Sequence, residues 1–414
     1  MENIKPTQRQ LEFMSWEMGI FFHFGIRSFF LGHRDWDDRE MPASAFNPTN
    51  LDCEQWIRTA KEAGMNYAVL TAKHHDGFAV WPSKYTEYSV ANSPWKDGKG
   101  DVITEYVAAC RKYDMKVGIY YSPAQWGGKI SFKEESEYDD YFINQISEIL
   151  TNYGKIDYLW FDGCGSENHK YDEPRIIAAI RGMQPEILIF NMWDPDTRWI
   201  GNEDGYTPYP NYNAVSSVDF SVMTSEKDTL GKAMFLPGEC DFKMRSQWFD
   251  CDLNEHTIKD LDELIGIYEY SVGRSANFLL NIGPTREGVL PELDTKLLLK
   301  FGEEIRRRYG NPIESFSAFK QENNAYVITS EESKLVNRVV ISEDLTDGES
   351  VKEFKVYAHM PYSTNQKLYV YSGYTIGNKA ICMFPTIRTH KIVVEITDSN
   401  GAPKIKEVNA YHVE

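Results

Sequence analysis

Between residue 17 and about 310, short apolar runs alternate with amphipathic stretches, and most of those apolar runs are continuous along their length. After Arg306-Arg307-Arg308-Tyr309-Gly310-Asn311-Pro312 the helical periodicity stops and short β-type runs replace it. Continuous apolar strands between helices indicate a parallel sheet covered on its faces, and a late run of strands indicates a separate antiparallel unit. The predicted fold class is therefore α/β: a (β/α)8-like, TIM-type barrel over residues 1–310, followed by a C-terminal antiparallel β-sandwich over residues 311–414.

The expected barrel strands are residues 19–24, 67–71, 116–121, 158–161, 187–191, 217–220, 233–236 and 277–282. Helix-like segments at 53–63, 102–113, 137–153, 174–182 and 257–272 lie between several of them. About eight such units in roughly 290 residues suit a barrel with some helices missing. Beyond it, β-type runs at 325–329, 338–341, 353–358, 367–371 and 391–396 are separated by turn residues. A chain of 414 residues is long enough for both units and too long for one core.

Net charge is −18, a field that repels phosphate backbones and anionic bilayers, so neither nucleic acid nor a membrane surface is an expected partner and the substrate should be neutral. The N-terminal residues lack an apolar stretch of signal-peptide length, which predicts cytoplasmic residence; a chain stripped of a leader would read the same. Six scattered cysteines without a CxxC pair indicate neither a zinc site nor a disulfide framework. Aromatic residues reach 14%, more than core filling requires, and flat rings suit the C–H faces of sugars.

In a parallel barrel the site forms at the carboxyl ends of the strands. There the sequence reads Phe21-Phe22-His23-Phe24-Gly25, Lys73-His74-His75-Asp76-Gly77-Phe78, Tyr120-Tyr121-Ser122-Pro123, Trp160-Phe161-Asp162-Gly163 and Asn191-Met192-Trp193-Asp194. Five such endings in succession describe one ring of functional groups. Asp162 follows an aromatic strand, the setting of a glycosidase nucleophile, which must stay ionised yet be partly desolvated. The bland alternative is a helix N-cap, but the next helix should begin near Asp172-Glu173-Pro174.

A second carboxyl is required across the scissile bond. Glu203, in the Gly-rich loop Gly201-Asn202-Glu203-Asp204-Gly205, is preferred as the acid; Glu239, in Pro237-Gly238-Glu239-Cys240-Asp241, is the alternative and suits a fixed hydrogen-bond role. His23, His74, His75 and Asp162 could be drawn around zinc, but adjacent histidines at a strand end should point apart and no HExxH or HxH spacing exists. Neutral imidazoles bonding sugar hydroxyls are the better reading, with no metal and no cofactor. Trp36, Trp81, Trp126 and Trp248 fall in loops or strand ends; as a set they should supply at least one stacking surface.

With these segments assembled, the chain resembles the α-L-fucosidases of glycoside hydrolase family 29 over nearly its whole length. The resemblance rests on His23-Phe24-Gly25, Phe46-Asn47-Pro48-Thr49 with Gln55-Trp56, Lys73-His74-His75-Asp76-Gly77-Phe78, Trp160-Phe161-Asp162-Gly163, and Ser271-Val272-Gly273-Arg274 with Asn277 and Leu279-Leu280-Asn281. It implies a retaining double displacement on fucosylated oligosaccharides or glycoconjugates, with Asp162 as nucleophile and Glu203 as acid and then base. His23, Trp36, His74, His75 and Tyr121 would line the fucose pocket, and aromatics such as Trp160 would receive the C6 methyl.

The Glu203 and Glu239 contexts and the C-terminal strands resemble the branch preferring α-1,3/1,4-linked fucose. Asp35 stands where that branch has Glu before its tryptophan, and Met244-Arg245-Ser246-Gln247-Trp248 departs from Arg-Pro-Gly-Trp. The rival readings are an α-L-galactoside or modified fucose as substrate, or a fucose-binding protein with little turnover. The oligomeric state cannot be read from the sequence.

Overall fold

The computed structural model describes residues 4–30, 39–124, 132, 134–166, 169–222, 224–225, 227–363 and 366–414. In chain order the first part runs α1 (Gln8–Trp16), β1 (Met18–Phe22), α2 (Cys53–Glu62), β2 (Tyr67–Lys73), α3 (Val102–Lys112), β3 (Lys116–Tyr121), α4 (Glu135–Asn152), β4 (Tyr158–Phe161), α5 (Glu173–Met183) and β5 (Leu188–Phe190). It continues with β6 (Arg198–Trp199), β7 (Ala214–Asp219), β8 (Lys227–Phe235), β9 (Gly238–Lys243), α6 (Leu261–Ser271), β10 (Ala276–Asn281) and α7 (Glu292–Tyr309). Local chemistry sets several helix starts. Asp52, Asp101 and Asp172 each accept a hydrogen bond from the backbone N–H three residues on, satisfying an amide the helix leaves open.

Eight parallel strands pair in the order β5-β4-β3-β2-β1-β10-β9-β6, and a parallel bridge between Phe190 and Thr197 brings the two ends together. The barrel interior is packed, not hollow: Phe21, Tyr67, Tyr120, Tyr158, Trp160 and Leu279 fill it, with Phe13 and Trp16 of α1 in the same cluster. The outward residues of the same strands, among them Phe22, Leu70, Ile119, Tyr121, Phe161 and Leu280, pack against the helices. Alternate residues along a strand face opposite sides, and that parity decides which side chains reach the mouth.

The expected sixth and seventh strands are corrected. Residues 217–220 and 233–236 fall largely in or beside an antiparallel hairpin, β7 with β8, outside the barrel sheet. Barrel positions six and seven belong to β6, only two residues long, and to β9. β9 carries Glu239, Asp241 and Lys243 on its inward face, so it never reads as an apolar run. The five expected helices are present, the last beginning at Leu261; α1 and α7 were not among the expected elements.

The remaining strands are β11 (Lys320–Glu322), β12 (Ala325–Glu343), β13 (Val351–His359), β14 (Lys367–Gly373), β15 (Ala380–Ser399) and β16 (Ile405–Tyr411). They form one antiparallel sheet, order β11-β12-β15-β13-β14 with β16 on β12. β12 changes register twice against β15, so its first part pairs with the end of β15 and its second part with β16. Both parts contribute to one apolar cluster containing Ile328, Val336, Ile341, Val356, Ile392 and Val408. No helix among the described residues is long and apolar enough to cross a membrane.

Candidate active site

A cavity of about 320 Å³ opens at the carboxyl ends of the barrel strands. Parity along β4 places its key residue. Tyr158 and Trp160 face the interior, Leu159 and Phe161 face the helices, and Asp162 takes the next inward step and lines the cavity. Tyr120 Oη donates to Asp162 Oδ2 at 2.8 Å, and the Cys164 backbone N–H donates to Oδ1 at 2.9 Å. His75 Nε2 stands 3.4 Å from Oδ2. The helix that follows is capped by Asp172, not by Asp162.

The histidines surround this carboxyl. His23 Nδ1 lies 2.7 Å from Asn281 Oδ1 at the end of β10, and its ring stacks on Trp248 at 4.8 Å. His74 stacks on Tyr120 with ring planes 10° apart. His75 Nδ1 is 2.6 Å from Ser122 Oγ. His74 and His75 do not diverge as expected: their rings are 4.2 Å apart and both line the cavity. The register of β2 slips against β3 between Thr71 and Lys73, and a turn closes from His74 O to Gly77 N, so strict strand alternation ends before the pair. Burial pushes the His23 pKa down to about 3, helped by Lys243 and Arg27 and opposed by the Asn281 hydrogen bond. Burial, then Arg27, Lys73 and His23, drives His75 well below its ordinary range. Both rings are neutral near pH 7, suited to uncharged hydroxyls.

Glu239 is corrected from a cavity residue to a supporting one. It is fully buried within the barrel and takes hydrogen bonds from Tyr67 Oη at 2.7 Å, Trp160 Nε1 at 2.8 Å and Tyr158 Oη at 3.2 Å. Burial raises its pKa to about 7, against the lowering effect of those three donors. The cavity is reached two residues later, by Asp241, which accepts from Trp199 Nε1 at 2.8 Å. Burial first, then the nearby Glu203 and Glu239, pushes the Asp241 carboxyl well above the usual range. Two residues further, Lys243 pairs with Glu203 at 2.6 Å and places its ammonium 4.7 Å from the Trp248 ring centre. Glu203 lines the cavity and is partly exposed.

Tyr121 is likewise corrected. It faces outward, packs on Phe142 and donates to Gln145 Oε1 at 2.7 Å; its neighbour Tyr120 is the tyrosine at the cavity. Trp160 and Trp248 line the cavity, whereas Trp81 is buried elsewhere with Nε1 on Glu148 at 2.9 Å. Trp36, Asp35 and Trp126 lie outside the described residues. Asp241, Lys243, Phe190, Cys164 and the hairpin residue Phe220 line the cavity without having been anticipated. The choice of Tyr120 over Tyr121 follows from the register of β3 on β4, which pairs Tyr120 with the inward Trp160; no local signal marks Phe220. Among the described residues one cluster could hold a metal: single ligand atoms of His75, Asp162 and Cys164 all lie within 4.8 Å of one another.

A family model described as alpha-L-fucosidase matches residues 1–309. Alpha-L-fucosidase 1 of Arabidopsis thaliana is 31% identical, over 94% of this chain and 84% of its own. A glycoside hydrolase 29 family member from an unknown rumen bacterium superposes with a TM-score of 0.89 at 31% identity, covering 100% of this chain and 78% of that one. A family 29 fucosidase of Ruminococcus gnavus, solved with fucose, has the same fold at a TM-score of 0.84 and 24% identity, with 99% and 95% covered.

Proposed function

This chain belongs to the α-L-fucosidase family of glycoside hydrolases, and from that premise we propose that it releases terminal α-L-fucose by double displacement, with Asp162 as nucleophile and Glu203 as acid and base. The observation that carries the reading is the setting of Asp162: an inward carboxylate at the end of β4, aimed by Tyr120 Oη and the Cys164 N–H and ringed by neutral imidazoles. Two donors stabilise its ionised form and hold one geometry, which an attacking carboxylate needs. His23, His74 and His75 would bond sugar hydroxyls. The stacked rings of Tyr120, Trp160 and Phe190 would take an apolar edge, the C6 methyl.

Glu203 is paired with Lys243, so the acid role requires that ion pair to loosen as the leaving oxygen arrives. A second reading has a specific support: Asp241 lines the same cavity, and burial shifts its carboxyl towards the protonated form that a general acid uses. Branch-type α-1,3/1,4 linkage preference is supported by the Glu203 loop sequence and is checked by comparing turnover on α-1,2-, α-1,3-, α-1,4- and α-1,6-linked fucosides.

For the nucleophile, Asp162→Asn should lower turnover of an aryl α-L-fucoside at least about a thousandfold, a loss of roughly 4 kcal/mol of transition-state stabilisation, with partial rescue by azide. Rates within a few-fold of the parent would remove Asp162 from that role. For the acid, Glu203→Gln and Asp241→Asn should be compared on good and poor leaving groups; the true acid variant fails chiefly on the poor one.

A further inference from the structure

We propose that the mouth of the barrel carries an inhibitory site for a borderline-soft divalent cation such as Zn²⁺, formed by His75 Nε2, an Asp162 carboxylate oxygen and Cys164 Sγ. Nitrogen, oxygen and sulfur ligands converge here from two segments on either side of β3, after β2 and after β4. Their ligand atoms all lie within 4.8 Å of one another, and the nitrogen and oxygen are already 3.4 Å apart. Tetrahedral zinc with these donors spaces its ligand atoms roughly 3.3–3.8 Å apart. Closing the remaining gap takes about 1 Å of side-chain movement.

A second observation points the same way. His75 Nδ1 lies 2.6 Å from Ser122 Oγ, which is itself 3.1 Å from Ala124 O, an acceptor for its proton. A cation in front of Asp162 would select the tautomer with the ring proton on Nδ1, facing Ser122 Oγ, and take Nε2 as its ligand atom. An outer hydrogen bond that fixes a histidine tautomer is the usual support of a metal ligand. The combination of thiol, imidazole and carboxylate suits Zn²⁺ and disfavours Mg²⁺ or Ca²⁺. On binding, the Cys164 S–H proton leaves to solvent as the sulfur–metal bond forms, so the site tightens as pH rises.

The cation would occupy the space in front of Asp162 and draw its charge, excluding the sugar; this consequence rests on Asp162 being the nucleophile. The binding itself does not, which separates the two ideas in the test. Co²⁺ added to the whole protein should bind one per chain and give a thiolate-to-cobalt charge-transfer absorption. Zn²⁺ should displace it and slow aryl α-L-fucoside hydrolysis, and a chelator should restore the rate. Cys164→Ala should lose the absorption and become at least tenfold less sensitive to Zn²⁺, relative to its own metal-free rate. His75→Gln should weaken Co²⁺ affinity tenfold or more.

The site is overturned if the parent gives no cobalt–thiolate absorption at millimolar Co²⁺. It is also overturned if Cys164→Ala keeps both the absorption and the zinc sensitivity, which would move the thiol to Cys251, the other cysteine at the cavity. Co²⁺ bound through Cys164 without any slowing by Zn²⁺ overturns the exclusion of substrate. A chain that binds Co²⁺ but hydrolyses no fucoside fails the functional reading alone. Thermal melts of Cys164→Ser, which keeps the side-chain shape, check that loss of binding is not loss of fold.

Discussion

At the scale of single residues, the site depends on which neighbour faces in. Tyr120 and Tyr121 are chemically identical and adjacent, yet one holds the Asp162 carboxylate and the other a glutamine beneath a helix. A hydrogen bond to a charged group contributes about 1.5–3 kcal/mol. Tyr120→Phe should therefore lower kcat/KM roughly 10- to 100-fold, at about 1.4 kcal/mol per factor of ten. Removing a donor from a carboxylate also disfavours its ionised form, so the acidic limb of the pH–rate profile should move to higher pH. Tyr121→Phe, leaving the cavity intact, should do neither. Equal effects of the two substitutions would mean that the hydrogen bond to Asp162 does not matter.

At the scale of elements, the hairpin β7–β8 matters because it brings Phe220 to the cavity beside the end of β4. The approach is close: a Cβ on Gly163 would lie 2.2 Å from Phe220 O, and backbone cannot yield as a flexible side chain does. Gly163→Ala should push the hairpin outward, destabilise the fold by about 1–3 kcal/mol as overpacking does, and lower kcat/KM about tenfold or more. Denaturant titration and steady-state kinetics check both; unchanged values in both would mean the hairpin gives way without consequence. The same region was the least legible in sequence. Barrel strands buried on both faces by apolar neighbours, such as β2 and β10, announce themselves, but β9 turns Glu239, Asp241 and Lys243 inward and β6 is two residues long. The exposed hairpin strands supplied the stronger apolar signal.

At the scale of the whole molecule, the two units share packing. Val340, Ile381 and Tyr411 of the C-terminal sheet belong to the barrel's main apolar cluster, and Ile381 N–H donates to Gly273 O at 3.1 Å. Lys379 pairs with Glu17, and Asn378 Nδ2 donates to Met14 O at 3.1 Å. Global stability should therefore report on groups buried anywhere in the chain. Glu239 ionises near 4.5 when solvated and near 7 in the fold. Between those values the folded state keeps a proton that the unfolded state has lost. Its contribution is fully present below pH 4.5, declines as pH rises, and is gone above about 7.

The change is on the order of 3 kcal/mol, from about 1.4 kcal/mol per pKa unit. His23 works in the opposite direction, since burial lowers its pKa from 6.5 to about 3 and the unfolded state binds the proton first. The informative measurement is thus a difference. The stability of Glu239→Gln relative to the parent should rise by that order between pH 4.5 and 7 in denaturant titrations. A difference independent of pH would mean that Glu239 is ionised throughout.

The sequence by itself determined the barrel, the later antiparallel strands, the family resemblance, and the convergence of His23, His74, His75, Trp160, Asp162 and Glu203 on one mouth. These follow from local rules: apolar runs set strands, amphipathic spacing sets helices, and a parallel barrel collects function where its strands end. Only the tertiary structure decided which groups actually meet. It turned Tyr120 rather than Tyr121 to Asp162, sank Glu239 beneath Trp160, and raised Asp241 and Lys243 to the cavity. It also set Cys164 beside His75. Those outcomes depend on strand register and on barrel positions filled by short or polar strands. Register is fixed by pairing between segments far apart in the chain, where no local pattern can state it.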